Sequence, residues 1–202
     1  LASWVNAGNT GSGLYFVLGS NITLSGSWTP IGSATGTFFS GNFDGQDYTI
    51  SSLYINNTSD YMGLFGGVQN CTIKNIILAN VNITANLHSG ALISVVFSGG
   101  TIKNCHIASG TVQGWGYFGG LIGVMNGGTI TGCSNSATVT TIAPESSITN
   151  IEFVGGLCGT ADNASFLGCY NTGNVSGRFY TAGLVGNASG CTFQKCYSTG
   201  NV

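Results

Sequence analysis

The chain has 202 residues and a formal net charge of −2. Charged residues make up only 5% of it, against about a quarter in an ordinary soluble domain. Its four basic residues cannot neutralise a nucleic-acid backbone, and no apolar run approaches the roughly 20 residues of a membrane-spanning helix. The 43% of hydrophobic residues argue against a disordered chain. The composition therefore predicts a β-rich fold whose surface is kept soluble by hydroxyl and amide groups.

The first 48 residues differ in pattern from the rest of the chain. Residues 1–6 are typical of the end of a short amphipathic helix, and 15–18 and 22–24 have the alternation of short strands. Bulky apolar cover follows at three phenylalanines, Phe38, Phe39 and Phe43. A repeat array needs an atypical terminal unit, so we predict an N-terminal cap with lead-in strands over residues 1–48.

Residues 49–202 contain two short boxes that recur together. The first has the pattern G-L-x-G and begins at Gly63, Ala91, Gly120, Gly156 and Gly183. The second alternates hydroxyl and apolar residues and begins at Thr72, Thr101, Thr129, Ser165 and Thr192, with an earlier copy at Thr49–Leu53. Repeats of this length indicate one structural unit that stacks on its neighbours.

Aligning the second box gives columns with distinct physical character. The inward column is apolar: Ile50, Ile73, Ile102, Ile130, Phe166 and Phe193. The column of Asn and Gly residues favours left-handed backbone and therefore corners: Ser52, Asn75, Asn104, Gly132, Gly168 and Lys195. The chain re-enters the core at Leu53, Ile76, Cys105, Cys133, Cys169 and Cys196. A further apolar column follows at Ile83, Val112, Val139, Val175 and Val202.

These columns predict an all-β fold, a single parallel β-helix or solenoid of about six rungs spaced by about 4.8 Å. Right-handed coiling is expected from the frequency of such folds. Extra length at residues 140–150 predicts a loop that leaves a corner. The last rung would expose its core and its backbone edge. We therefore expect further repeats of the same chain, or end-to-end self-association of the open rung with the cap of another subunit.

The two boxes and the lead-in resemble the GLUG-motif family, named for its G-L-any-G box, over essentially the whole chain. The lead-in residues that carry the resemblance are 18–24, 28–32, 39–45, 48–50 and 53–55. Members of this family occur in secreted and surface-attached proteins. The resemblance implies an extracellular β-helical scaffold without an activity of its own. Ala91 and Ser94 replace the usual glycines of the second copy, but both are small enough for the rung to form.

Catalysis by a β-helix on polysaccharides would need clustered acidic side chains. The six acids are scattered, at Asp44, Asp47, Asp60, Glu145, Glu152 and Asp162. We interpret Asp44 and Asp47 as turn residues, and Glu145 and Glu152 as solvated residues of the inserted loop. His88 and His106 have no partner at a metal-binding spacing. The sequence therefore predicts no enzyme, no metal site and no cofactor.

Four of the seven cysteines, Cys105, Cys133, Cys169 and Cys196, share the re-entry column. Adjacent rungs bring Cα atoms within the range of a disulfide bond. Pairs 105–133 and 169–196, or the pair 133–169, could form, and buried reduced thiols are the alternative.

Eight N-x-S/T sequons provide candidate N-glycosylation sites: Asn21, Asn56, Asn57, Asn70, Asn82, Asn163, Asn174 and Asn187. Covalent N-glycans would explain how a surface with so few charges stays soluble. Asparagine at corners beside Thr-rich strands is the structural alternative.

One aromatic column, Tyr117, Phe153 and Tyr180, precedes the G-L-x-G box. Facing outward it would stack on sugars. It shares the parity of the box leucines, which favours packing in the core.

Taken together, these patterns predict an extracellular or cell-surface structural protein, a glycosylated rod in a filament or stalk. An adhesin that binds glycans or a host is the alternative hypothesis, and a polysaccharide-cleaving enzyme is disfavoured.

Overall fold

A computed structural model describes residues 1–56, 59–142 and 152–202 of the chain. One short helix, α1 (Ala2–Asn6), precedes a long series of strands. Those of the first half are β1 (Tyr15–Val17), β2 (Ile22–Thr23), β3 (Asn42–Asp44), β4 (Thr49–Ser51), β5 (Tyr54–Asn56), β6 (Phe65–Val68), β7 (Thr72–Ala79), β8 (Val81–Thr84), β9 (Ser89–Gly90), β10 (Ile93–Val96), β11 (Thr101–Ile107) and β12 (Gly110–Gly114). Those of the second half are β13 (Tyr117–Gly119), β14 (Ile122–Thr131), β15 (Ser134–Asn135), β16 (Thr138–Thr141), β17 (Phe153–Gly155), β18 (Cys158–Leu167), β19 (Tyr170–Asn171), β20 (Val175–Ser176), β21 (Thr181–Ala182), β22 (Val185–Ser189), β23 (Thr192–Gln194) and β24 (Tyr197–Ser198).

These strands form the predicted parallel solenoid, with about six turns. Three sheets of 15, five and four strands run along its sides, and strands on successive turns pair in parallel. The five-stranded sheet, for example, has the order β20-β16-β12-β8-β5. Each rung contributes a short segment to every side, so the apolar face of one rung is buried only by its neighbours.

The predicted core column is confirmed from Ile73 onward. Ile102 pairs with both Ile73 and Ile130, and Phe166 continues the column to Phe193. Ile73, Ile102, Ile130 and Phe166 are buried, with at most 1% of each exposed to solvent. The hydroxyl column also holds, because Thr101 pairs with Thr72 and Thr129.

The earlier copy at Thr49–Leu53 was assigned to the wrong position in the rung. Ile50 pairs with Leu78, and the residue that pairs with Ile73 is Phe43. Leu53 likewise lies beside the strand β8, since its carbonyl accepts a hydrogen bond from the Asn82 amide at 2.8 Å. Each rung has two alternating segments that look alike locally, and this copy has no G-L-x-G box ahead of it to fix the register.

The predicted corners are confirmed by the backbone. All six positions of the corner column have positive φ, including 54° at Lys195 and 61° at Ser52, although Ser52 belongs to a different corner. The further apolar column is also present, with Val112 between Ile83 and Val139 and with Val175 beyond them. The structure adds Ile55 to its start.

A ladder of buried amides runs beside the box glycines. Asn135 is fully buried and donates from Nδ2 to Asn171 Oδ1 at 2.9 Å and to the carbonyl of Ala137 at 2.9 Å. Its own Oδ1 accepts from the Ala137 amide at 3.1 Å. Asn171, also fully buried, donates from Nδ2 to the Gly173 carbonyl at 2.8 Å and to Ser198 Oγ at 3.2 Å. Each of these hydrogen bonds lies within one rung or connects it to the next rung.

The first glycine of the G-L-x-G box makes room for this ladder. A Cβ atom on Gly120 would lie 2.3 Å from Cγ of Asn135, closer than non-bonded atoms approach. Gly156 and Asn171 repeat the arrangement one rung later, at 2.4 Å. One rung earlier the ladder column holds Ile107, which pairs with Asn135, and there the box begins with Ala91. The departure from glycine occurs in a rung without an amide in this column. Gly63, beside Leu78 in the same column, is still glycine, and a Cβ atom there would lie 2.4 Å from the Gly90 carbonyl oxygen.

Parallel pairing extends into the predicted cap. β1 pairs with β3, and β3 pairs with β7, so the lead-in strands continue the large sheet. α1 lies at this end, where Val5 is fully buried in the core and the Asn6 side chain bonds the Pro30 carbonyl at 3.0 Å and the Gly32 amide at 2.9 Å. Residues 143–150 of the predicted loop lie outside the described residues, as does Glu145.

Asn135→Ala should destabilise the solenoid, because the change leaves the Ala137 amide and Asn171 Oδ1 without their partner inside the core. An unsatisfied buried polar group costs about 1–3 kcal/mol. Urea unfolding followed by circular dichroism measures the free energy of unfolding. The matched control is Asn82→Ala on the exposed face of β8. Equal effects of the two substitutions would contradict a structural role of the ladder.

Candidate functional site

Five rings from five successive rungs form one stack along the side of the solenoid. Tyr61 lies on His88 with ring centroids 4.9 Å apart and planes 10° from parallel, and His88 lies on Tyr117 at 4.9 Å and 4°. Phe153 follows Tyr117 at 5.3 Å, and Tyr180 follows Phe153 at 4.9 Å. We call these five residues the ring ladder.

The ring ladder lies at the surface, so the expectation that this column packs in the core was wrong. Tyr117 and Phe153 are half-buried, and Tyr180 is 60% exposed. Sharing the parity of the box leucines did not place them inside, because a bend separates the two segments: Gly120 and Leu121 lie between β13 and β14.

The same geometry restricts sugar stacking. A sugar stacks on the face of an aromatic ring, and rings 4.9–5.3 Å apart along a column cover each other's faces. Of the three predicted sugar-stacking residues, Tyr117 and Phe153 each have a neighbouring ring on both sides along the ladder, which leaves less of their faces open to a sugar. Tyr180 ends the ladder in the described chain and keeps one face open.

Tyr61 and His88 were not predicted from the sequence as members of this column. His88 stands four residues before Leu92, as Tyr117, Phe153 and Tyr180 do before their own box leucines. This offset of four residues from the box leucine could have identified His88. Tyr61 could not be found in this way, because it stands three residues before Leu64.

His88 is the titratable member of the ladder. Burial lowers the pKa of His88 below its ordinary value, and the carboxylate of Asp60 partly opposes that shift. Its Nδ1 atom and the Oγ atom of Ser89 are buried polar atoms without a hydrogen-bond partner in the described structure. His106, on another side, bonds Ser134 Oγ through Nδ1 at 2.8 Å; burial also lowers the pKa of His106, against the charge of Asp47.

The four predicted column cysteines lie on successive rungs as free thiols. The Cys105 amide donates to Cys133 Sγ at 3.4 Å, and Cys133 and Cys169 contact each other through their sulfur atoms. Cys105, Cys133 and Cys169 are fully buried, while Cys196 is half-buried. Burial raises the pKa of the Cys133 thiol, so little thiolate is available for disulfide exchange. Pairing by disulfide stays a prediction.

Seven of the eight sequon asparagines lie in the described residues, and all seven are exposed. Asn57 lies outside those residues. Asn56 and Asn82 lie on strands of the five-stranded sheet, and Asn174 directly precedes its last strand. By contrast, the buried ladder residues Asn135 and Asn171 are not in sequons. The distribution places every described acceptor amide where an oligosaccharide could reach it.

The carboxylates have different environments. Asp44 accepts hydrogen bonds from the Gln46 amide and Asn75 Nδ2, each at 2.9 Å, and pairs with Lys74 at 3.0 Å. The bond from the Gln46 amide is the main cause that lowers the pKa of Asp44. Glu152 was expected on the solvated loop, but it is 1% exposed and its Oε2 accepts from the Arg178 amide at 3.4 Å. Glu152 immediately precedes β17, which is buried in the solenoid at Val154.

No cluster of three His, Cys, Asp or Glu side chains suited to a metal ion occurs in residues 1–56, 59–142 and 152–202. Within those ranges no helix has the length and hydropathy of a membrane span.

Comparison with known proteins finds a relative and a structural neighbour. The chain is 38% identical over 100 residues to Halomucin of Haloquadratum walsbyi, a match that covers 48% of this chain and 1% of Halomucin. The crystal structure of a candidate immunoglobulin A1 protease from Bacteroides ovatus superposes with a TM-score of 0.69 and 19% identity, over 94% of this chain and 70% of that one. This second likeness shows the fold alone. No protein-family model matches the chain, so the resemblance to the GLUG-motif family rests on the boxes themselves.

The free energy of unfolding should fall as the pH is lowered from 7.5 to 5. The imidazoles of His88 and His106 have lowered pKa values in the folded chain. Below the ordinary histidine pKa of about 6.5, the unfolded chain therefore binds more protons than the folded one, and stability is lost. Urea unfolding at several pH values measures the slope. His88→Phe, which keeps a ring in the ladder, should reduce it. A slope unchanged in the double variant His88→Phe/His106→Phe would contradict this assignment.

Native thiols should divide into two classes on alkylation with iodoacetamide. Cys191 and Cys196, which are half-buried, should react well before the five buried cysteines. Burial raises the pKa of Cys71 to about 12, so its reaction should require unfolding. Peptide mass spectrometry measures the order of labelling, and the intact mass before reduction reports any disulfide bond. Fast labelling of Cys105 in the folded chain would contradict the buried column.

Proposed function

We propose that the chain is an extracellular, non-catalytic structural rod, part of a surface filament or stalk, with N-glycans along its sides. The observation that carries this proposal is that its ladders run from rung to rung. The hydroxyl column, the buried amides and the ring ladder all join neighbouring rungs. Side chains that elsewhere form binding sites here hold the rungs in register.

The surface supports an extracellular setting. Charged residues are few, and the described sequon asparagines are all exposed. A relative that carries the name of a mucin agrees with a glycosylated protein outside the cell. Membership of the GLUG-motif family is part of the same proposal, and the space that its first glycine leaves for the amide ladder gives the motif a structural reason.

Immunogold electron microscopy of intact source cells tests the proposal, with antibodies against this chain. Label on the cell surface or on extracellular fibres is expected, and glycopeptide mass spectrometry of the same material should find sugars at exposed acceptors such as Asn82 and Asn174. Label confined to the cell interior would contradict the proposal. Unmodified asparagines with surface label would remove only the glycans from it.

Glycan binding, as in an adhesin, is the second candidate function. It is supported by Tyr180, which is 60% exposed and ends the ring ladder in the described chain. Tyr180→Ala should then abolish binding on a glycan array, while Tyr117→Ala, whose ring face is covered, should not.

A further inference from the structure

A small cavity opens on the side of the solenoid at Tyr61, the first ring of the ring ladder. It has a volume of about 210 Å³ and lies between the turn that precedes β6 and the lead-in loop beside that turn. Its lining residues are Asn6, Thr29, Pro30, Gly32, Ser33, Thr35, Asp60, Tyr61 and Met62. Sites for drug-sized ligands start at about 300 Å³, so this cavity fits one small ring.

The walls of the cavity are paired with the solenoid and do not lie on an open strand edge. The Gly66 amide donates to the Ile31 carbonyl at 3.0 Å, and the Ile31 amide donates to the Leu64 carbonyl at 2.9 Å. Asn6, the last residue of α1, fixes the lead-in loop by accepting a hydrogen bond from the Gly32 amide at 2.9 Å. The cavity is therefore formed before a ligand arrives.

Tyr61 supplies an aromatic platform at the edge of this cavity. One face of its ring stacks on His88 at 4.9 Å, and no ring of the described residues covers the other face. Its φ of 64° is a left-handed conformation that a bulky residue rarely adopts. A hydrogen bond from its amide to the Leu87 carbonyl at 3.2 Å holds this backbone in place. Backbone strain of this kind is concentrated at functional sites.

Asp60 is the only charged residue among the described lining residues. Its Oδ1 accepts a hydrogen bond from the Leu87 amide at 3.1 Å, which fixes the carboxylate and leaves further acceptor capacity for a ligand. Hydroxyl groups of Thr29, Ser33 and Thr35 share the lining, and those of Ser33 and Thr35 lie 3.2 Å apart. A fixed carboxylate beside several hydroxyls matches the hydrogen-bonding groups of a sugar.

We propose that this cavity binds one neutral pyranose unit, with a face of the sugar on Tyr61 and its hydroxyls on Asp60. The described lining holds no basic side chain, so a sugar that carries a carboxylate would be repelled by Asp60. The site is separate from Tyr180, and the proposal does not rest on the structural role of the rod. A single sugar makes few contacts, so we expect a Kd of about 1 mM.

Titration of residues 1–202 with simple sugars, followed by two-dimensional amide NMR, tests the proposal. The probes are the methyl glycosides of glucose, galactose and mannose, with methyl glucuronide as the acidic counterpart. At least one neutral glycoside should shift the amide signals of Asp60, Tyr61 and Thr35. Methyl glucuronide should bind roughly tenfold more weakly, because like charges repel at short range.

Two variants assign the contacts to the sugar. Tyr61→Asn removes the ring but keeps a residue type that tolerates positive φ, so binding should be lost. Tyr117→Ala removes an interior ring of the same ladder and is the matched control, which should bind like the unmodified chain. Asp60→Asn keeps an acceptor for the Leu87 amide without the charge, so the discrimination against methyl glucuronide should disappear.

A third variant keeps the test decisive if Tyr61→Asn does not fold. Thr35→Trp, at an exposed position of the lead-in loop, fills the cavity without changing the ladder and should also abolish binding. Shifts that persist in Thr35→Trp, or no shift with any glycoside, would overturn the proposal. Tyr180→Ala should bind like the unmodified chain, and loss of binding there would place the sugar at the other end of the ladder. Surface label in microscopy is independent of all these results.

Discussion

The close approach of one rung to the next is the constraint on which this structure depends. No rung can bury its own apolar face, and each backbone edge needs the next rung for its hydrogen bonds. At each position, the favoured residue type is therefore one that packs well against the same type in the next rung. This explains why isoleucine follows isoleucine in the core, threonine follows threonine outside, and rings follow rings along the side.

Glycine in this chain has two physical sources. At corners the backbone needs positive φ, and Asn104 and Lys195 show that other residues also meet this need. At the first box position the requirement is space, because Gly120 faces the buried amide of Asn135. The amide is not the whole of this requirement, because a Cβ atom on Gly63, where the ladder column holds Leu78, would lie 2.4 Å from the carbonyl oxygen of Gly90.

Sequence patterns predicted the fold, the corners and most columns, because period-two alternation and regular spacing report directly on which side chains share a face. They failed where the register had no anchor, as at Thr49–Leu53, whose true column is set by pairing with β7. They also misplaced Glu152 and the aromatic column, since burial there depends on bends between short strands rather than on alternation within one strand. The ring ladder as a whole could be recognised only after five separate rungs were superposed.

Ladders of this kind serve stability before recognition. Many of the ring faces, amides and hydroxyls that could bind a ligand already contact the adjacent rung.

Hydrogen–deuterium exchange of the monomeric chain, resolved by peptide, tests the central claim that each rung is stabilised by its neighbours. Amides of β7, β11 and β14, which have a rung on both sides, should exchange slowest. Those of β22, β23 and β24, which have a rung on one side, should exchange much faster. Equal protection of the end and central strands would contradict the claim, because it would mean that a rung holds its structure without the next one.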